Sequence, residues 1–449
     1  MASPTADKIA FLGLGAMGFG MATNLIKLSH PVTGFDVWAP TLQRFSTAGG
    51  STATTPRECV RDAPFVVFMV ATAAQIMSAL FEGPDAAIHE LKQGASLILC
   101  STGPPEYVPA IQKQLLELGR GDVLVVDAPV SGGTIRAANG TLSIFAAGSE
   151  YALTAANSLL KDMAGSHLWV IPGGLGAGTN VKMVHQVLAG IHIAMTSEAN
   201  GFVAKLGLPS KQAFELLKAS EGSSWMFENR TPHLLVEDKT VYSALNIIVK
   251  DIGIVTAGGR SAHFSLFLSS TTEQILASGV GAGLGLVDDA NLVGVYLPQD
   301  PTAVLKLASS SETLSADDPR LKVVKQAMAG VHLAAAAEAM CLAARVGLDC
   351  QTMFEIISTA AGASKMLVEK TPMWLSGEWT SGKTIDDVVA ELTEAIEEAN
   401  KLKYPLHLAG TALQLFQLVS MKGLGKEPDV SVARIWDGVE GPLFPRKSA

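Results

Sequence analysis

Gly13-Leu14-Gly15-Ala16-Met17-Gly18 directly follows an apolar run, Ile9 to Leu12, and opens a segment of helical period. In that context the glycines have separate uses. Gly13 permits a tight turn, Gly15 lets backbone amides approach a pyrophosphate at a helix N-terminus, and Gly18 lets the helix lie close to a sheet. Asp36 stands 18 residues after Gly18, at the end of a second apolar run. A carboxylate there accepts hydrogen bonds from an adenosine ribose and repels a 2′-phosphate; Val37 and Trp38 follow it, with no arginine beside it, which favours NAD over NADP. A solvated aspartate at a strand end is the plainer alternative.

The elements that must hold this turn alternate. From Lys8 to about Ile171, short β-branched runs (Ile9 to Leu12, Val32 to Phe35, Phe65 to Val70, Leu97 to Cys100, Val123 to Val126) are separated by helical patterns. This order predicts crossover units, hence an α/β Rossmann domain with a doubly wound, mostly parallel sheet. After Gly178 the strand pattern ends, and long Ala/Leu-rich helical segments run from Asn180 to Leu206 and on to about Tyr296.

A repeat becomes visible when the chain is slid by 140 residues. Twelve of the 27 positions from Lys182 to Leu208 are identical to those from Lys322 to Leu348, including Ala189-Gly190 with Ala329-Gly330, His192 with His332 and Glu198 with Glu338. The register persists without a gap through Thr231-Pro232 with Thr371-Pro372 and Gly283-Leu284-Gly285 with Gly423-Leu424-Gly425. An all-α domain has been duplicated in tandem. The expected organisation is a cofactor domain over 1–173, a first helical domain over 174–298, an exposed connector over 299–319 carrying prolines and the Ser309-Ser310-Ser311 run, and a second helical copy over 320–449.

Composition narrows the classes of partner. The 449 residues carry a formal net charge of -9, without a Lys/Arg block that would track phosphates, so nucleic acid is not an expected partner. Four cysteines lie apart with no metal spacing, so neither a metal site nor a disulfide framework is expected. Phe65 to Phe81 lacks charge, but Gln75 interrupts it and a strand followed by a helix accounts for it better than a membrane span. Only Met1 to Asp7 precede the first strand, too few for a signal peptide, so the expected location is cytoplasmic.

Three segments in order carry a resemblance. Gly13 to Leu25 resembles the opening signature of the β-hydroxyacid (3-hydroxyisobutyrate) dehydrogenase family; Asp127-Ala128-Pro129-Val130-Ser131-Gly132-Gly133 resembles its substrate-binding segment; and Gly176-Ala177-Gly178-Thr179-Asn180-Val181-Lys182 resembles its catalytic motif at the head of a long helix. The resemblance implies helical domains of the 6-phosphogluconate dehydrogenase C-terminal type and hydride transfer between a small 3-hydroxy acid and a nicotinamide, with Lys182 as general acid/base. It also implies that Ser131, Gly132 and Gly133 hold the substrate carboxylate, that Leu14, Ala16 and Met17 belong to the pyrophosphate turn, that Val70 and Thr102 lie by the cofactor, and that Lys250 reaches it. Alcohol oxidation needs a group that takes the hydroxyl proton. A lysine serves as a neutral base only when desolvated or near another cation, whereas protonated it serves as the acid in reduction. The sequence admits both states.

One position departs from the family. Where relatives commonly have asparagine three residues after the lysine, this chain has His185, one helical turn on and on the same face. It can hydrogen-bond substrate and tune the lysine, or pack in the core. Arg136 is a further candidate for a second polar end of the substrate and is similar to the threonate dehydrogenase branch. The second copy keeps Lys322 but lacks the preceding glycines, and position 250 maps to Ala390 and His185 to Lys325. Lys322 is therefore expected to be non-catalytic, and copy two to be a built-in partner, making the chain either a monomeric pseudo-dimer or a homodimer. The rival reading is a catalytically inactive dinucleotide-binding scaffold or chromatin-associated protein of the same fold.

Overall fold

The structure, a computed structural model, describes residues 7–380, 382–438 and 441–446. The chain divides between Met183 and Val184 into two compact units.

Among the described residues the first unit is built on nine strands: β1 (Ile9–Leu12), β2 (Val32–Phe35), β3 (Ser51–Thr52), β4 (Phe65–Phe68), β5 (Ser96–Leu99), β6 (Leu124–Asp127), β7 (Val130–Ser131), β8 (Ser143–Gly148) and β9 (Leu168–Val170). They lie in the order β3-β2-β1-β4-β5-β6-β8-β7, with β9 beside β8. From β3 to β6 every pairing is parallel, while β8 runs antiparallel to β6 and β7. β1, β4, β5 and β6 read as largely apolar runs because both of their faces are covered. Ile9 and Phe11 point into one core with Val67, Ile98 and Val126; Ala10 and Leu12 point into the other with Val66, Phe68, Leu97 and Leu99. β1 pairs with β2 on one side and β4 on the other, so the strand order reverses there, and in such sheets ligands bind at this point outside the carboxyl ends. Three helices matter for the site: α1 (Ala16–Lys27), α2 (Gly133–Asn139) and α3 (Ala177–Lys205), which continues into the second unit.

The second unit is helical: after α3 come α4 (Ser210–Ala219), α5 (Trp225–Leu234), α6 (Leu245–Ser261) and α7 (Phe267–Gly281), then α8 (Pro319–Arg345), α9 (Cys350–Ser358), α10 (Lys365–Ser376), α11 (Ile385–Lys401) and α12 (His407–Val419). From α4 to α7 each helix begins 140 residues before its counterpart among α9 to α12. The local reasons repeat as well. Ser224 caps α5 by accepting from the Phe227 amide, and Ser364 caps α10 by accepting from Leu367. A Cβ on Gly190 would fall 2.2 Å from Ile252 of α6, and one on Gly330 2.8 Å from Leu392 of α11, so the shared Ala-Gly pair lets each long helix meet its neighbour closely.

Contacts across the two copies are reciprocal. Glu198 of α3 accepts from the amides of Leu408 and Ala409, which open α12, and Glu338 of α8 accepts from Leu268 and Ser269, which open α7. Trp225 N donates to Ala363 O, and Lys365 N to Ser223 O. His192 meets His332 at 4.4 Å between ring centroids, and Thr271 Oγ1 meets Thr411 Oγ1 at 2.9 Å. Each of these pairs is related by the 140-residue shift, as two subunits about a twofold axis would be. Among the described residues α8 is the one helix long and apolar enough to cross a membrane, and 94% of its apolar window is buried inside the protein.

The stretch 299–319, expected as an open connector, is partly structured. It holds a short helix, Ala303–Leu307, with Val304 and Leu314 buried, and Gln212 of α4 clasps it by donating to Glu312 O and accepting from Leu314 N.

Candidate functional site

Gly13 has φ +97°, and a Cβ there would lie 2.4 Å from the Met69 carbonyl oxygen. On Gly18 it would lie 1.9 Å from the Gly13 oxygen, so α1 can start here only with glycine. Gly15 is the opposite case: nothing stands within 4 Å of where its Cβ would be, and the open side is at the N-terminus of α1. An anion can approach there with the helix dipole in its favour. Exposed Ala16 and half-buried Met17 form the first turn, and Leu14 is buried beneath.

Asp36 lies just past β2 and fixes the turn. Its Oδ2 accepts from the Leu14 amide at 2.7 Å and its Oδ1 from Trp38 at 2.9 Å. Each carboxylate oxygen keeps a second lone pair, so the group can also accept from a ribose hydroxyl. Val70, past β4, sits against the turn: its Cγ1 would be 2.9 Å from a Cβ on Gly13, and its amide donates to Ser101 Oγ at 3.0 Å. Thr102 follows Ser101 beyond β5. The motif, Asp36, Val70 and Thr102 thus lie at the carboxyl ends of β1, β2, β4 and β5, as a dinucleotide at the sheet's switch point requires.

The start of α3 is pinned by a residue that the sequence presents only as part of a substrate segment. Asp127, fully buried at the end of β6, accepts from Gly176 N at 3.1 Å, Thr179 N at 2.9 Å and Thr179 Oγ1 at 2.7 Å. Burial pushes its carboxyl up to about 6, against these hydrogen bonds, which lower it. A Cβ on Gly178 would stand 2.2 Å from the Phe145 oxygen of β8, so the helix start lies directly on the sheet. Lys182 follows Thr179 by three residues and is 6% exposed. The available signal was a carboxylate ending an otherwise apolar strand; its partners lie about fifty residues away and leave no local pattern.

Ser131, buried in β7, is followed by Gly132 and Gly133 with φ of +135° and +73°, values that exclude ordinary side chains. Nothing stands within 4 Å of a Cβ built on Gly133. Arg136 on α2 donates from Nε to the Thr141 carbonyl at 2.6 Å, which ties the guanidinium to its own loop.

In the second unit, buried His185 lies 3.0 Å from Gln186 Oε1 through Nδ1; Gln186 Nε2 donates to Asp251 Oδ2 at 2.5 Å, and Asp251 Oδ1 is 3.0 Å from Lys250 Nζ. His185 and Lys250 therefore belong to one chain of polar contacts that crosses from α3 to α6. A Cβ on Gly362 of copy two would sit 3.4 Å from the His185 ring. Lys322, the counterpart of Lys182, lies in a different setting, with a half-exposed side chain paired to Glu394 of α11 at 2.9 Å.

A Rossmann sheet carrying an open glycine turn and a lysine-bearing helix clamped to its carboxyl edge defines a dinucleotide-dependent oxidoreductase. Residues 8–173 match the family model described as the NAD binding domain of 6-phosphogluconate dehydrogenase. Residues 176–296, and again 319–436, match that described as NAD-binding of NADP-dependent 3-hydroxyisobutyrate dehydrogenase. An L-threonate dehydrogenase of Cupriavidus necator is 36% identical over 288 residues, covering 64% of this chain and 95% of that protein. A solved 3-hydroxyisobutyrate dehydrogenase from Salmonella typhimurium is 33% identical with a TM-score of 0.58, covering 67% of this chain and 99% of its own. The 6-phosphogluconate dehydrogenase of Plasmodium falciparum, 14% identical, shares the fold over 92% of each chain at a TM-score of 0.62. The chain belongs to the β-hydroxyacid dehydrogenase family of NAD(P)-dependent oxidoreductases. Nothing in these comparisons favours the inactive-scaffold alternative.

Proposed function

We propose that the chain oxidises the hydroxyl of a small 3-hydroxy acid, threonate-, 3-hydroxyisobutyrate- or glycerate-like, with NAD as the preferred cofactor and Lys182 as general acid/base. The observation that carries this reading is the clamp of Asp127 on Gly176 and Thr179, which sets the start of α3 on the sheet and keeps Lys182 buried. Bound NAD would accept the hydride. The open side of Gly15 and the first-turn amides of α1 would take its pyrophosphate, Asp36 its adenosine ribose, and Val70, Thr102 and Lys250 would line its length. Ser131 with Gly132 and Gly133 would hold the substrate carboxylate, with Arg136 and His185 toward its other polar groups. Lys182 Nζ would then take the hydroxyl proton as the carbonyl forms and return it in the reverse reaction.

The surface ion pair of Lys322 with Glu394 supports a non-catalytic second copy, and the reciprocal contacts between copies support a pseudo-dimer within one chain, itself a monomer or a homodimer, for which we propose a cytoplasmic location. We hold the division into a cofactor domain, a catalytic helical domain, a connector and a degenerate copy on the same grounds. The test is NAD and NADP reduction with threonate, 3-hydroxyisobutyrate, glycerate, tartrate and serine, using Lys182→Ala as control. Turnover of at least one acid that vanishes in the variant is expected; turnover that survives the substitution, or none with any acid, would reject the reading.

A further inference from the structure

A glycine of copy two stands against the polar chain of copy one. His185 is 1% exposed, and its Nδ1 lies 3.0 Å from Gln186 Oε1. The direction of that bond is set from the far end. Gln186 turns its N–H₂ group to the Asp251 carboxylate, which accepts, so its oxygen faces His185 and the imidazole carries a proton on Nδ1. Donation therefore runs from His185 to Gln186 to Asp251, whose other oxygen pairs with Lys250. Copy two does not repeat this chain. The counterparts of His185, Lys250 and Asp251 there are Lys325, Ala390 and Glu391, and Gln326 donates to Glu394 while its Oε1 is buried with no hydrogen-bond partner among the described residues.

The outer side of His185 is held by the loop between α9 and α10. A Cβ on Gly362 would sit 3.4 Å from the imidazole Cδ2, 3.4 Å from Leu188 Cβ and 3.2 Å from Ile357 Cγ2. Gly362 is not among the glycines with a positive φ, so this position needs glycine for space rather than for backbone freedom. The loop is also fastened to copy one. Trp225 N donates to Ala363 O at 2.9 Å, Lys365 N to Ser223 O at 3.0 Å and Lys365 Nζ to Ala219 O at 2.9 Å, so Gly362 cannot draw back without breaking these bonds. Its counterpart Gly222 faces instead the Met328 Cβ and the Lys325 carbonyl oxygen.

We propose that Gly362 of copy two is a positioning residue for the reaction of copy one: by keeping His185 against Gln186 it sets Asp251 and Lys250, so that cofactor affinity depends on the loop between α9 and α10. The inference rests on the reading of Lys250 as a cofactor ligand. A larger side chain at 362 displaces the imidazole, leaves Gln186 Oε1 without its donor and lets the amide turn away from Asp251.

The test is NADH binding by the full-length protein, followed by cofactor fluorescence well below the melting range, together with kcat and KM for NAD on the best acid of the screen. Gly362→Val is expected to raise Kd about fivefold or more, within what packed networks transmit, with KM for NAD rising more than kcat falls. In a His185→Ala background, itself weakened, the valine finds room and adds no further loss, so the two substitutions are non-additive. His185→Asn, which can still donate to Gln186, binds NADH more tightly than His185→Ala. Gly201→Ala sets a methyl against the Tyr404 hydroxyl at another point of the junction and should lower Tm without changing Kd. If the valine variant does not fold, Gly362→Ala carries the same comparison with a smaller rise in Kd. An unchanged Kd in the position-362 variant, an additive loss with His185→Ala, or an equal loss in Gly201→Ala would overturn the proposal. Lys250→Ala separates the two levels. Binding unchanged in that variant removes the reading of Lys250 and the proposal with it, whereas weakened binding there beside an unchanged position-362 variant defeats the proposal alone.

Discussion

Lys182 and Lys322 occupy equivalent positions on two related helices, yet one is 6% exposed and the other carries a half-exposed side chain in an ion pair. Residue type therefore does not set the chemistry; the surroundings do. Lys182→Ala is expected to lower kcat by a factor of about 10² to 10⁴, the usual worth of a positioned general acid/base, whereas Lys322→Ala leaves it unchanged; steady-state kinetics on the best acid from the screen checks both. Asp36 has two duties, ribose recognition and anchorage of the Leu14 amide, so Asp36→Ala should weaken NAD binding and narrow the preference for NAD over NADP. Titration of both cofactors, followed by fluorescence, measures this; an unchanged NAD affinity would remove Asp36 from the cofactor site. At this scale the glycine turn was legible because its requirements are local: a positive φ, a close approach and an open side within six residues. The clamp by Asp127 was not, because its bonds span about fifty residues, and neither was the link from His185 through Gln186 to Asp251.

The elements were legible where a run of residues is buried for one reason along its length. β1, β4, β5 and β6 are sandwiched between two cores, so each shows as a largely apolar run. β7 is two residues ahead of a glycine turn, and β9 is three residues of which none is fully buried, so neither rises above its surroundings. The helix inside the connector is hidden in the same way, five residues with Val304 as the buried anchor. The most exacting contact between elements is that of α3 on β8 at Gly178. Gly178→Ala places a methyl carbon within 2.2 Å of the Phe145 oxygen, closer than backbone tolerates, so the helix start must lift away from Asp127. Small-to-large insertion into a tight contact costs about 1–3 kcal/mol, and for catalysis even a 1 Å displacement can cost about a hundredfold. Thermal unfolding and kcat should therefore both fall, with kcat affected more; a variant that loses stability but keeps kcat would mean that Lys182 does not depend on this seat.

The duplication was legible as a 140-residue shift, but its geometric use appears only in the folded chain, where each long helix sends a buried glutamate to the start of the other copy's helix. Glu198 is fully buried, receives the amides of Leu408 and Ala409 and the Tyr296 hydroxyl, and burial pushes its carboxyl up to about 7. A carboxyl whose folded pKa exceeds its unfolded one contributes its stability fully below about 4.5 and loses it as pH rises through about 7, because the unfolded chain ionises first. The junction of the copies should therefore weaken between pH 5 and 7. Glu198→Gln keeps the volume but sets an amide N–H₂ against a backbone N–H, which costs about 1–3 kcal/mol for the unmet group. It also removes the titration. The variant should thus melt below the wild type at pH 5, and the difference in Tm should shrink by pH 7.5 as the wild type loses its own contribution. Glu338→Gln should behave alike, since burial raises its carboxyl too and it opens α7 in the same manner. Parallel melting curves for wild type and variant across this range would mean that neither glutamate titrates at the junction and that apolar packing alone joins the copies.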